Sequence, residues 1–512
     1  MENKQTMIES ITIKYKEDKN FLVPLYIYGI LFLFFCSKMS PLYPTNEWSD
    51  VNVYFNIGKG MFSGMTLYSE IFDHKGPLIF FIYGLGSLFS KSSFIGLFLF
   101  QIIGWLVALT AIFYTAKLYL KDIFAFIISL LLPLSFLTYM HTGGSAEEMI
   151  LLFYIISTYF FISYFKENNQ KHPSQHMLIH GLLTSLAMLI KLNLILFWFF
   201  PLLIIFVQLL IRKEYKNFLQ NCFAYIIGVA IIFVPVLFYF IYNDALGEAY
   251  HVYIELNKQY SSTNDYHWLL TNGVNKLYKA YRAELVWYLI ISIGIFYFPF
   301  KHLKGRWNQM AIVFSGIAVF AIIFFPLTYH FYYPLPLFAF VTLGLIAIFS
   351  FLEKQINVKE SKKMIYLLAT FMLLVAINKR DFFDLGTETL LRQSTPNSPQ
   401  FVFKDRIKAE KDATLLNIAF GEGNALFTTT GLTPSVKYFL SPNIYYNMYP
   451  EIRDSQAKYI EEGKTTFIID CTNGFNYDFF QTFEPLKVNY NLIDSVKSED
   501  KANTYYLYKR KN

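Results

Sequence analysis

The 512-residue chain is 54% hydrophobic and 20% aromatic but only 16% charged. A soluble domain carries about a quarter charged residues, so this composition excludes an ordinary soluble globular protein. The net charge of +7 does not point to nucleic acid, because the Lys and Arg residues lie mostly in short turns between apolar runs, where they orient a membrane protein.

The first apolar run, Phe21–Met39, follows a charged stretch (Lys14, Lys16, Glu17, Asp18, Lys19) and lacks a small-residue cleavage site, so it reads as a retained first span. Twelve apolar runs follow one another along the chain, at 21–39, 77–90, 94–116, 123–139, 148–165, 177–190, 194–211, 221–242, 284–300, 309–326, 331–351 and 364–377. Phe94–Ala116 and Cys222–Tyr242 contain no Asp, Glu, Lys or Arg, and each is long enough for a bilayer core of about 30 Å. Basic turns separate the later runs: Lys117/Lys121, Lys166/Lys171, Arg212/Lys213/Lys216, Lys301/Lys304/Arg306 and Lys354/Lys359/Lys362/Lys363. With these turns and the basic N-terminus inside, run 77–90 must fail to cross fully. At fourteen residues it suits a re-entrant or tilted half-helix, which leaves eleven crossings. The expected fold is a polytopic all-α membrane protein of about 11–12 apolar helices.

After Asn378 the composition becomes that of a soluble domain. Short β-rich runs (Leu415–Phe420, Thr465–Asp470, Thr504–Lys509) alternate with helix-like stretches (Phe403–Lys411, Ile452–Glu462), which predicts a small α/β domain. The chain thus divides into a cytoplasmic N-terminus (1–20), a transmembrane module (21–377) and an extracytoplasmic α/β domain (378–512). The three cysteines show neither metal spacing nor a disulfide framework.

The chosen parity gathers the polar segments on the extracytoplasmic face. The first loop runs from Glu47-Trp-Ser-Asp50 to Asp73-His74-Lys75-Gly76-Pro77, just before the next apolar helix. Such residues are by default solvated loop groups near lipid headgroups. His141-Thr-Gly-Gly-Ser-Ala-Glu147-Glu148 breaks an apolar tract; its paired glycines let backbone approach a ligand, and its adjacent glutamates cannot both face one way on a helix. The blander reading is a helix start favouring acids. Lys191 is a lone cation between two apolar runs, where snorkelling to the interface is the ordinary fate. Thr328-Tyr329-His330-Phe331-Tyr332-Tyr333-Pro334 is an interfacial aromatic belt that also suits a phosphate or a sugar ring. Arg282 closes the 244–283 loop.

The order of these motifs resembles the GT-C glycosyltransferases, in particular the bacterial branch related to protein O-mannosyltransferases and to the aminoarabinose transferases that modify lipid A. The similarity covers roughly residues 20–350. It implies a multi-pass protein of the bacterial inner membrane that moves a sugar from a polyprenyl-phosphate donor to an acceptor hydroxyl on a glycan, lipid or protein, by an inverting single displacement. Asp50 matches the family's first-loop catalytic acid, and Glu147 or Glu148 its second acidic motif. Lys75 matches a Lys-Pro-Pro element in which Gly76 here replaces the first proline. His74, Lys75, Lys191 and His330 would bind the donor phosphate, with Asp73, Tyr329, Tyr332, Tyr333 and Arg282 lining the cavity. Val51 follows Asp50 where the family often has an Asp-Glu doublet, so no metal ligands are assigned and a divalent metal is left open. The partners expected are lipid-linked donor, acceptor and membrane lipid, not nucleic acid.

Two rival functions share parts of this pattern. Ion-coupled transporters and flippases keep ionisable groups at mid-membrane depth, whereas the spans after residue 94 hold almost none, His180 being the nearest exception. A lipid-linked glycan polymerase or ligase would be expected to use Arg-rich outer loops, and the 244–283 loop offers only Arg282.

Overall fold

The computed structural model describes residues 7–261, 265–355, 361–380, 398–419, 421, 423–498 and 502–511. Lys359 of the last basic turn, Phe420 at the end of the first expected strand, residues 262–264 of the 244–283 loop and most of the expected domain start up to 397 lie outside the described residues.

All twelve apolar runs are helices. Eight are long and apolar enough to cross a membrane: Glu17–Cys36, Ile95–Lys117, Ala146–Glu167, Leu192–Ile211, Tyr215–Tyr242, Leu285–His302, Arg306–Phe324 and Leu335–Leu352. Pro77–Ser87, Asp122–Ser135 and Ser174–Ile190 are shorter apolar helices, and Lys362–Asn378 is the twelfth. The chain is a multi-pass membrane protein. Pro77–Ser87 has 11 residues, so it is about 16 Å long, roughly half of a bilayer core.

The chain forms two compact units. One comprises Met1–Ser37, Gln101–Ile232 and Asp265–Phe383; the other comprises Lys38–Phe100, Phe233–Asn264 and Asp384–Asn512. In the first, helices meet where glycine removes the Cβ. A Cβ on Gly294 would lie 2.2 Å from the Phe340 carbonyl oxygen, and one on Gly344 would lie 2.0 Å from that of Ile290. Gly181 and Gly228 make the same reciprocal approach between Ser174–Ile190 and Tyr215–Tyr242. Small residues are what let membrane helices touch backbone to backbone, since lipid supplies no hydrophobic drive between them.

In the second unit the helix Ser49–Met61 crosses Pro77–Ser87 through Gly58 and Gly84, and it is buried nearly all round. Its polar side chains therefore all find partners. Asn52 accepts a hydrogen bond from Thr428 Oγ1 at 2.6 Å, and Asn56 donates to the Asn424 carbonyl at 2.9 Å. The ammonium of Lys59 is buried and donates to the carbonyls of Phe427 and Leu432 at 2.8 and 2.7 Å. These partners belong to the C-terminal α/β region, which carries a four-stranded sheet of order β1-β2-β4-β3. The strands are β1 (Leu415–Asn417), β2 (Phe467–Cys471), β3 (Tyr490–Lys497) and β4 (Thr504–Arg510). β1 runs parallel to β2, whereas β4 is antiparallel to both β2 and β3. Leu416, Ile418, Ile460, Ile468, Phe480, Leu486 and Tyr490 fill its core.

Candidate active site

Two groups of candidate residues are built, one in each unit. In the second unit, the chain reaches Asp50 through a locked turn. The Asn46 side chain accepts from the Trp48 backbone N–H at 3.0 Å, and Asn52 Nδ2 donates to the Asn46 and Trp48 carbonyls at 2.6 and 2.9 Å. Asp50 then falls in the first turn of Ser49–Met61, where the helix dipole favours a carboxylate, and it stays partly exposed.

Asp73, His74 and Lys75 precede Pro77, which starts the next helix at a position where proline's missing N–H costs nothing. Asp73 and His74 are buried, while Lys75 is partly exposed. The Asp73 Oδ1 lies 3.1 Å from His74 Nδ1, and His74 Nε2 lies 3.2 Å from Lys75 Nζ. An ammonium can only donate, so the His74 Nε2 accepts and the ring proton sits on Nδ1, facing Asp73. Burial pushes the Asp73 carboxyl up, but the Lys75 charge and the His74 ring outweigh it and bring it down to about 2. For His74, burial and then the Lys75 charge lower the imidazole below its usual range, against opposing pulls from Asp73 and Asp50. Asp50 is therefore near enough for its charge to be felt at the His74 ring.

The same turn is held from two further sides. Tyr68, at a left-handed φ of 70°, donates its hydroxyl to the Lys75 carbonyl at 2.6 Å. The π-helical turn His251–Leu256 leads into Asn257, whose amide donates to the His74 carbonyl at 2.5 Å, and Tyr260 lies 5.1 Å from the His74 ring.

In the first unit, Gly143 and Gly144 take φ of 87° and 90°, a conformation other residues rarely adopt. A Cβ on Gly143 would also meet Ser37 Oγ at 2.4 Å. Ser145 then caps the helix Ala146–Glu167 by accepting from the Glu148 N–H at 2.9 Å. The two glutamates part here. Glu148 turns inward, accepting from Gln101 Nε2 and Trp105 Nε1 at 2.8 Å and from the Gly144 N–H at 2.7 Å. Glu147, buried too, accepts from Lys191 Nζ at 2.6 Å. Lys191 ends the helix Ser174–Ile190 in an extended conformation and places its ammonium 3.5 Å over the Tyr333 ring. His330 stacks on Tyr332 and lies 5.2 Å from Tyr333, so Glu147, Lys191, Tyr333, His330 and Tyr332 form one chain of contacts.

Tyr329 meets Tyr333 edge-on with ring centroids 6.2 Å apart and packs on Phe324 with Lys276 Nζ 5.6 Å from its ring, whereas Arg282 is exposed on the helix Tyr266–Ala283. Sequence reasoning missed Gln101 and Trp105 as the fixers of Glu148, and Asn257 and Tyr260 as the supports of His74. Gln101 did leave a trace, as the one amide in the run 94–116, because a buried amide in a span needs a partner.

Among the described residues no three His, Cys, Asp or Glu side chains are grouped to hold a metal ion. Asp73 and Glu147 each already face a lysine, which opposes a divalent cation at those carboxylates. The described residues assemble no metal site, and no step is routed through one.

A sequence profile of the dolichyl-phosphate-mannose-protein mannosyltransferase family matches residues 74–241, a third of the chain. No curated protein sequence matches it. Among solved structures, ArnT from Cupriavidus metallidurans bound to undecaprenyl phosphate is similar with a TM-score of 0.60 and 10% identity, over 95% of this chain and 97% of that one. The Archaeoglobus fulgidus oligosaccharyltransferase in complex with zinc and sulfate is similar with a TM-score of 0.52 and 14% identity, over 95% of this chain and 73% of that one. The same enzyme tethered to an acceptor peptide containing the NVT sequon gives 0.50 and 13%, over 96% and 74%. At such identities the likeness is one of fold. The chain has the GT-C membrane-glycosyltransferase fold, and it resembles the branch of ArnT and the protein O-mannosyltransferases.

Proposed function

We propose that this protein transfers a sugar from a polyprenyl-phosphate carrier to an acceptor hydroxyl on the extracytoplasmic face, with inversion. The observation that carries this reading is the Asp73–His74–Lys75 turn, in which His74 lies 3.1 Å from Asp73 Oδ1 and 3.2 Å from Lys75 Nζ, with Asp50 in the first turn of Ser49–Met61 in the same unit. The undecaprenyl phosphate bound to the structurally similar ArnT supports the class of carrier. The N-terminus would then be cytoplasmic and the C-terminal domain extracytoplasmic, and the sugar is a hexose or a pentose.

The two first-loop acids are assigned different roles. General bases act best when their pKa lies near the working pH, and a carboxyl held at about 2 is a poor one, so Asp73 is assigned as the orienting acid. Asp50, partly exposed in the first turn of Ser49–Met61, is assigned as the base. The acceptor hydroxyl oxygen attacks the anomeric carbon from the face opposite the phosphate, its proton passes to Asp50, and the bond from the anomeric carbon to the phosphate oxygen breaks. The phosphate leaves with the bonding electron pair on its carrier, and Lys75 meets that charge. His74 acts on the phosphate through Lys75, whose ammonium it aims. In the first unit, Glu147 holds Lys191 in place beside Tyr333 and His330, and Glu148 fixes the turn that carries Glu147.

The test is transfer of radiolabelled sugar from a panel of purified polyprenyl-phosphate sugars by membranes carrying wild type or Asp50→Asn. General-base removal is expected to cost at least about 100-fold in turnover with donor binding kept. Full turnover in a correctly folded Asp50→Asn would remove Asp50 as the base, and transfer from no donor by wild type would sink the transferase reading.

A further inference from the structure

The second unit holds a cavity of about 250 Å³, lined from residues 38–45, residues 92–95 and Thr428, that the proposed mechanism does not use. Its lining includes Lys38, Tyr43, Thr45, Ser93, Phe94 and Thr428, all within that unit. The volume is just below the usual range of small-molecule sites, roughly 300–1,000 Å³, and fits a single ring with its substituents.

Three features show a built site rather than a packing defect. Thr45 is 5% exposed, yet its hydroxyl has no hydrogen-bond partner among the described residues. A buried polar group left unmade costs about 1–3 kcal/mol, which a ligand hydroxyl would recover. The walls are also fixed in advance. Asn52 ties the Asn46 carbonyl on one side to Thr428 on the other, at 2.6 Å in each case. Finally, Lys38, which lines the cavity, is held in place by donating to Glu47 at 2.7 Å.

The chemistry selects the ligand. Tyr43, Phe94 and the flanking Pro41 and Pro44 offer flat apolar surface, while Lys38, Thr45 and Ser93 offer polar groups. A pyranose has both faces, with C–H groups on one side and hydroxyls at the rim. A phosphate is disfavoured, because the Lys38 charge is already answered by Glu47. Thr45 lies five residues before Asp50 on the segment that the Asn46–Asn52 bonds hold rigid. We propose that this cavity binds one neutral sugar residue of the acceptor, so that the acceptor is a glycan or glycolipid. The inference rests on the transferase reading.

The experiment is saturation-transfer NMR on the purified full chain in a sugar-free detergent, with methyl glycosides of glucose, galactose, mannose and N-acetylglucosamine as probes. At least one glycoside is expected to show transfer, with its Kd raised about tenfold or more in Thr45→Trp and in Ser93→Trp, and with inorganic phosphate failing to displace it. Ser93 is only half-buried, which keeps the test open where Thr45→Trp does not fold. No transfer from any glycoside to wild type, transfer that survives Ser93→Trp, or displacement by phosphate would overturn the proposal. Acceptor-free hydrolysis of the donor by wild type judges the transferase reading on its own. Its absence would count against that reading, while glycoside binding would still decide the cavity.

Discussion

Two buried carboxylates of the second unit titrate in opposite directions. Asp73, in the turn before Pro77, is brought down to about 2, whereas Asp470, near the end of β2, is pushed up to about 6. Burial acts upward on both. What differs is the company: Asp73 has Lys75 and His74 beside it, while Asp470 has only neutral donors, Gln481 Nε2 at 2.9 Å and the Cys471 N–H at 2.8 Å. A neighbouring cation decides the sign, and neutral hydrogen bonds only soften the cost of burial. The functional consequence follows from the same contrast. A carboxylate kept ionised beside a partly exposed lysine organises charge for a ligand, whereas Asp470 carries a stability cost at neutral pH.

The largest way to break the contrast is to remove its cause. Lys75→Met leaves Asp73 buried without the neighbouring charge that lowers its carboxyl, and should destabilise the fold, as read from its unfolding midpoint. On the role proposed for Lys75 at the departing phosphate, transfer should fall about 100-fold or more, with weaker donor binding measured alongside. A Lys75→Met enzyme with unchanged donor affinity and turnover would show that the turn is structural only.

A neighbouring contrast sharpens the point in the first unit. Glu147 has a lysine partner, and Glu148 has three neutral donors. Glu148→Ala strands the buried donors of Gln101, Trp105 and Gly144, and should cost about 2–3 kcal/mol in thermal or denaturant unfolding. Glu147→Gln keeps an acceptor for Lys191 and should cost less than about 1.5 kcal/mol while lowering transfer. Equal destabilisation by the two, with equal activity, would erase the division of roles between adjacent glutamates.

How much of this was legible in the sequence depends on how far apart the partners lie. The twelve helices were visible because each apolar run is its own signal. The 73–75 turn was visible because its members are consecutive. The Glu147–Lys191 pair spans 44 residues, and each half could be flagged alone but not joined. Least visible was the burial of Ser49–Met61, whose partners Asn424 and Thr428 lie 368 and 376 residues on. Asn52, Asn56 and Lys59 look like solvated loop-helix residues until those partners are known. β3 escaped because it is an edge strand whose register shifts between Leu492 and Asp494, so Tyr490–Lys497 shows no clean alternation of apolar and polar residues. The β4 run, paired on both sides, was expected from its aromatics.

The last predicted effect, on stability alone, returns to Asp470. Its folded pKa of about 6 lies above the ordinary value of 3.8, so between those two pH values the folded chain holds a proton that the unfolded chain has released. Stability from this group is therefore intact below pH 3.8 and is lost as the pH rises through about 6, after which the cost is constant. A shift of about two pH units corresponds to roughly 2–3 kcal/mol for a group this deeply buried. Asp470→Asn keeps an acceptor for the Cys471 N–H and removes the charge. The variant should gain on wild type steadily from pH 4 to 6, by about 2 kcal/mol, and hold that margin at pH 8, as read from unfolding of the two proteins across the pH series. Asp73→Asn should behave in the opposite sense, because a carboxyl held at about 2 gives stability that is present above pH 3.8 and lost only as the pH falls toward 2. Its variant would lose against wild type at neutral pH and recover in strong acid. If both variants gained with rising pH, burial alone would set both acids, and Lys75 would not be the group that turns Asp73 from a cost into part of a site.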